Sequence, residues 1–141
     1  MFTAKVYNVM VGSLSGIMEE VIFAKEVIWK WNKQNAERCG KVFLTVDWTT
    51  KPEEIQKVDV VIAVVGNWIQ STDFIEECLR AGKKATILFN AFQDPKYTIA
   101  REHDSVKMFR ERMQGRCNCV EFGSLSDLKQ MVEDMLLEQK L

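Results

Sequence analysis

The chain has 141 residues, 47% hydrophobic and 28% charged, with 19 Lys and Arg against 20 Asp and Glu. That length fits one domain around one core and is too short for two, so residues 1–141 are read as a single unit. The even charge balance and the lack of a dense basic run argue against nucleic acid as a partner, because phosphate binding needs a basic face.

No apolar stretch approaches the roughly 20 residues of a membrane-spanning helix, and Met1-Phe2-Thr3-Ala4-Lys5 lacks the apolar core of a signal peptide. No membrane contact is expected, and the cytoplasm is the expected location. The four cysteines, Cys39, Cys78, Cys117 and Cys119, are scattered in sequence, so free thiols are expected.

In chain order, residues 6–11 form a short apolar strand that ends in the turn Gly12-Ser13-Leu14-Ser15-Gly16. From Ile17 the period changes. Ile17, Val21, Ala24, Ile28 and Trp31 recur at steps of four and three, which is one helix face, and the helix closes at Cys39-Gly40. Residues 41–46 are the second strand. The polar segment 47–57, with Pro52 inside it, leaves room for a turn or a short helix.

Residues 58–65 are apolar almost throughout, the pattern of a strand covered on both faces in a parallel sheet. Ser71 or Thr72 caps a helix that runs to Ala81 and turns Phe74, Ile75, Cys78 and Leu79 inward. Gly82-Lys83 closes it. Residues 85–89 form the fourth strand, and residues 90–100, with Pro95, read as a flap beside the strand ends. A helix over 103–113 leads to a fifth strand at 119–122. Ser124-Leu125-Ser126-Asp127 reads as a capping box for a last helix whose stripe is Leu128, Met131, Val132 and Met135.

Alternating strands and helices imply a three-layer α/β/α domain with a five-stranded parallel sheet, and the order 2-1-3-4-5 is expected. Ligands of such sheets bind beyond the carboxyl ends of the strands where the order reverses, here between strands one and three. The loops at that point are 12–16 and 66–71, small and polar enough for close approach to a sugar or phosphate. Gly12, Ser13, Ser15, Asn67 and Ser71 are the candidate ligand contacts, although a tight turn with a serine cap is the more ordinary explanation of the first loop.

Trp48 and Trp68 follow strands two and three, where a base could stack on them, though such aromatics are also ordinary core residues. Trp29 and Trp31, two apart on a helix, cannot share a face, so one of them faces solvent or a partner. Cys117-Asn118-Cys119 offers too few neighbours for a zinc site, and no metal is expected. His103, the single histidine, lies in a charged stretch and reads as a surface helix start.

Val9-Met10-Val11-Gly12-Ser13-Leu14-Ser15, Glu19-Glu20, Ile28-Trp29-Lys30-Trp31-Asn32, Val46-Asp47-Trp48 and Ala81-Gly82-Lys83 together resemble the short bacterial TIR-like domains. Those are related in fold to TIR domains and nucleoside 2-deoxyribosyltransferases. The resemblance implies a flavodoxin-like or TIR-like fold and a nucleotide, NAD-like or nucleoside ligand. It also implies signalling or defence through a homo-oligomer or an effector protein. Enzymes of the wider group cleave an N-glycosidic bond with a glutamate eight residues before the glycine of Gly-Lys, a carboxylate that stabilises or traps the sugar cation.

Here that position is Phe74. Gly16 replaces an aspartate of the first turn, and the segment between strands two and three is shorter than in the family. The expectation is therefore a nucleotide-binding or protein-interaction module without efficient N-glycosidase activity and without a resident cofactor. The alternative is an N-glycosidase or 2-deoxyribosyltransferase-like enzyme with Asp73 or Glu76 as its carboxylate. A third reading is a structural subunit whose pocket Phe74 and Trp68 fill.

Overall fold

In the computed structural model, residues 1–15, 19–66, 68–90 and 100–138 are described. Gly16, Ile17, Asn67 and residues 91–99 of the flap expected at 90–100 lie outside the described residues, while Asn90 ends β4 and Ala100 begins α4. The elements in order are β1 (Lys5–Ser13), α1 (Glu19–Cys39), β2 (Lys41–Asp47), α2 (Pro52–Ile55), β3 (Val60–Val65), α3 (Asp73–Arg80), β4 (Lys84–Asn90), α4 (Ala100–Met113), β5 (Asn118–Phe122) and α5 (Leu125–Glu138).

The five strands form one parallel sheet in the order β2-β1-β3-β4-β5. Alternation along β1 divides the core. Tyr7, Val9 and Val11 pack toward α1 and α5 with Trp31, Phe43, Leu128 and Val132. Met10 and Leu14 pack on the opposite face with Ile55, Phe74, Ile75, Phe109 and Met113. All six residues of β3 are buried, as its unbroken apolar run requires of a strand covered on both faces.

The third strand begins at Val60, two residues later than its apolar run. The N–H of Val58 closes the turn after α2 on the carbonyl of Ile55, so this buried residue belongs to the core and not to the ladder. Asp59 meets Asn8 twice, donating its N–H to the Asn8 carbonyl at 2.9 Å and accepting the Asn8 N–H on its carboxylate at 2.8 Å.

Helix ends follow local chemistry. Gly82, at φ +74°, lets its own N–H reach the carbonyl of Leu79 while the N–H of Lys83 reaches that of Cys78, the paired bonds of a Schellman stop. At the start of α3 it is Ser71 that accepts the Asp73 N–H, at 3.2 Å, whereas the Thr72 side chain makes no capping bond. For α5, Ser124 Oγ accepts the N–H of Asp127, whose carboxylate accepts the N–H of Gly123. The reciprocal box forms with its return bond shifted by one residue. Trp31 is buried while Trp29 is 54% exposed, lying along β2 with its indole N–H on Thr45 Oγ1.

Candidate functional site

The strand order reverses between β1 and β3, since β2 flanks β1 on one side and β4 flanks β3 on the other. Backbone bonds tie the loops leaving these two strands together. The Leu14 N–H donates to the Val64 carbonyl at 2.9 Å, and the Gln70 N–H donates to the Leu14 carbonyl at 2.7 Å. Ser15, fully buried, accepts the Gly66 N–H on its hydroxyl at 2.7 Å. A crevice joined at three points needs little ordering when a ligand arrives.

Gly12 lies behind this crevice. A β-carbon there would stand 2.7 Å from Trp48 Cβ, so only glycine lets the chain leaving β2 fold across the end of β1. Trp48 thereby reaches the far side of the crevice and meets Phe74, with ring centroids 6.0 Å apart and planes tilted by 42°.

Between them is a cavity of about 150 Å³ lined by Ser13, Leu14, Trp48, Gln70, Ser71 and Phe74. Phe74 is buried and forms an apolar wall, while Trp48 is 51% exposed. The hydroxyls of Ser13 and Ser71 accept the N–H groups of Ser15 and Asp73, which leaves their protons available for donation. Gln70 adds a carboxamide that can donate and accept. Two aromatic rings with a few polar groups at the edge suit a flat heterocycle.

Of the residues singled out in the sequence, Ser13, Trp48 and Ser71 line the cavity. Gly12 and Ser15 support it from behind, and Asn67 lies outside the described residues. Trp68 is 38% exposed and is not part of the lining, so Phe74 and Trp68 do not fill the pocket between them. Leu14 and Gln70 were missed. Gln70 carried a signal, because it falls within the loop expected to contact the ligand.

Neither alternative carboxylate belongs to the described lining. Asp73 is exposed in the first turn of α3. Glu76 is turned toward α4 and the turn that follows it, 3.0 Å from Arg116 and 3.9 Å from Arg112. Its carboxyl is held below the ordinary range mainly by the hydrogen bond from Arg116, against a smaller opposing effect of burial. Glu76 therefore does not reach back as a capping partner of Asp73. His103 falls within α4.

Among the described residues, no cluster of three or more His, Cys, Asp or Glu side chains could hold a metal. No described helix is long and apolar enough to cross a membrane.

Fold and cavity together define a parallel α/β domain with a small aromatic crevice at its topological switch point. No family profile matches the chain, and no curated protein matches it. Solved structures do. Translation elongation factor SelB from Methanococcus maripaludis, in its apo form, has a TM-score of 0.56 and 11% identity over 97% of this chain and 38% of its own. Homoserine dehydrogenase from S. aureus, at pH 6.5, has a TM-score of 0.50 and 13% identity over 84% of this chain and 33% of its own. The chain thus spans about a third of the length of the structures it matches, and at these identities the likeness is one of fold alone.

Proposed function

We propose that this chain is a TIR-like module that binds a nucleotide or nucleoside in the switch-point crevice and does not cleave it efficiently. It acts in the cytoplasm through an effector protein or further copies of itself. The observation that carries this reading is the cavity between Trp48 and Phe74. It has the size and apolar walls for a base, and its described lining holds no carboxylate.

Cleavage of an N-glycosidic bond needs a group that stabilises or traps the sugar cation. A serine hydroxyl with no adjacent base is a poor substitute. The carboxylates next along the chain are committed elsewhere, Glu76 to Arg116 and Asp73 to solvent.

The test is thermal unfolding with NAD, ADP-ribose, nucleoside monophosphates and deoxynucleosides, with released base assayed in the same samples. A ligand at 100 times its dissociation constant adds about 2.7 kcal/mol, a visible shift. Stabilisation without base release is expected. Steady release of base, abolished by Asp73→Ala or Glu76→Gln, would overturn the reading in favour of an enzyme. A Trp48→Ala variant that keeps the full shift would remove the cavity from it.

A further inference from the structure

The cavity is too small for a whole nucleotide. Sites for drug-sized ligands enclose about 300–1,000 Å³, whereas this one encloses about 150 Å³. A base fits, and the sugar and any phosphate must lie outside it.

A second cavity adjoins the first and shares Trp48 as a wall. This groove of about 500 Å³ runs between the β1–β2 side of the sheet and α2, with Asn8, Val46, Lys51, Glu54 and Lys57 among its lining. Its acidic groups already have partners. Asp47 is held by Lys25 at 2.6 Å, and Glu54 stands 3.7 Å from Lys57. The lining's two acids and two lysines balance, but with Lys25 reaching Asp47 from α1 and Lys57 beside Glu54, the Lys51 ammonium makes no ion pair with the described residues.

Reach is adequate. Lys51 is three residues beyond Trp48, so their Cα atoms are at most about 11 Å apart. That gap, less the length of a lysine side chain, is within the span of a nucleoside 5′-phosphate. Trp48 is half exposed and lines both cavities.

We infer that the site is bipartite and prefers a phosphorylated nucleotide, with the base beside Trp48 and Phe74 and the phosphate in the groove on Lys51. This rests on the nucleotide-binding reading above and adds the ligand's charge and a second subsite. Lysine acts here as a point charge, one of the common ways a protein holds phosphate.

The experiment compares adenosine with AMP, guanosine with GMP, cytidine with CMP and uridine with UMP, by thermal shift and calorimetric titration. Wild type is expected to bind at least one monophosphate about fivefold or more tightly than its nucleoside, an advantage that shrinks with added salt. Lys51→Glu should abolish that advantage and leave nucleoside affinity unchanged, with Lys51→Arg retaining it. Equal affinity for nucleoside and monophosphate in wild type would overturn the bipartite site and leave the base pocket standing. A phosphate advantage that survives Lys51→Glu would overturn the placement on Lys51. Failure of every nucleoside and nucleotide to bind would overturn both this inference and the reading it rests on.

Discussion

Phe74 is the residue on which the functional reading turns. A buried phenyl ring in the first turn of α3, facing Trp48, makes an apolar surface where the resembling enzymes have a charge. Placing a carboxylate there buries a charge without a partner, and the side chain meets that cost by raising its pKa. Phe74→Glu is therefore expected to lower the melting temperature at neutral pH, less so at mildly acidic pH, without creating glycosidase activity. Unfolding curves at two pH values and a base-release assay check both parts.

Ser15 is the matching case on the polar side. Ser15→Ala leaves the buried Gly66 N–H without an acceptor, and a loss of about 1–3 kcal/mol is expected in urea titration.

Glu76 gives a pH dependence whose sign is fixed. Its carboxyl pKa is depressed in the folded protein, chiefly by the Arg116 hydrogen bond, so its stabilising contribution is present above the ordinary value of 4.5 and is lost as pH falls through the lower folded value. Arg116→Gln should therefore melt below wild type at neutral pH, and the two melting temperatures should converge in acid. A gap independent of pH would mean that Arg116 acts through packing.

The thiols differ as their surroundings do. Burial pushes the Cys78 thiol up to about 11, and burial together with Cys119 pushes Cys117 up to about 12, while Cys39 is exposed. Iodoacetamide at mildly alkaline pH should label Cys39 before either of the others, as read by peptide mass.

At the scale of elements, caps and stops carry most of the local specification. Ser124→Ala removes the bond to the Asp127 N–H at the start of α5 and should cost about 1 kcal/mol. Gly82→Ala puts a β-carbon on a residue at φ +74°, at a cost of about 1–2 kcal/mol. Both are measurable by chemical denaturation.

These same elements show why the fold was legible. The unbroken run at 58–65, the four-and-three spacing of α1 and the glycine stops after α1 and α3 each reflect a local rule with one structural outcome, and together they imply a parallel α/β sheet, for which the order 2-1-3-4-5 was the expected arrangement and not a consequence of these signals. The bounds slipped where a side chain competed with the ladder, as Asp59 does against Asn8.

The site was legible only in part, because its members are distant in sequence. Ser13 and Ser71 follow from the switch-point rule. That Trp48 would cross β1 depends on the missing β-carbon of Gly12, a tertiary fact with no local signature. The same distance hid the diversion of Glu76 to Arg116, a residue 40 positions away. Gln70 was passed over beside the more conspicuous Trp68, although its backbone bond to Leu14 is what fixes it at the mouth of the cavity.

For the molecule as a whole, division of labour runs between the two ends of the sheet. At the amino end of β1 and β3, Asn8 and Asp59 join the strands with backbone and side-chain bonds, and α2 buries Ile55 in the core. At the carboxyl end, the loops meet around a cavity left open between two aromatic rings. An open apolar cavity adds no stability, since its lining forgoes contacts, so a ligand that fills it should stabilise the whole domain.

The most direct measurement is an amide and indole NMR spectrum of the protein titrated with the four nucleoside monophosphates, with the one-dimensional spectrum of each sample followed for free base. Saturable shifts centred on Ser13, Leu14, Gln70, Ser71, Phe74 and the Trp48 indole, with the nucleotide intact, are the expected result. Shifts centred elsewhere, such as on the α1–α5 groove beside Trp31 and Lys129, or none with any nucleotide, would contradict a switch-point ligand site. Accumulation of free base would contradict the absence of efficient cleavage.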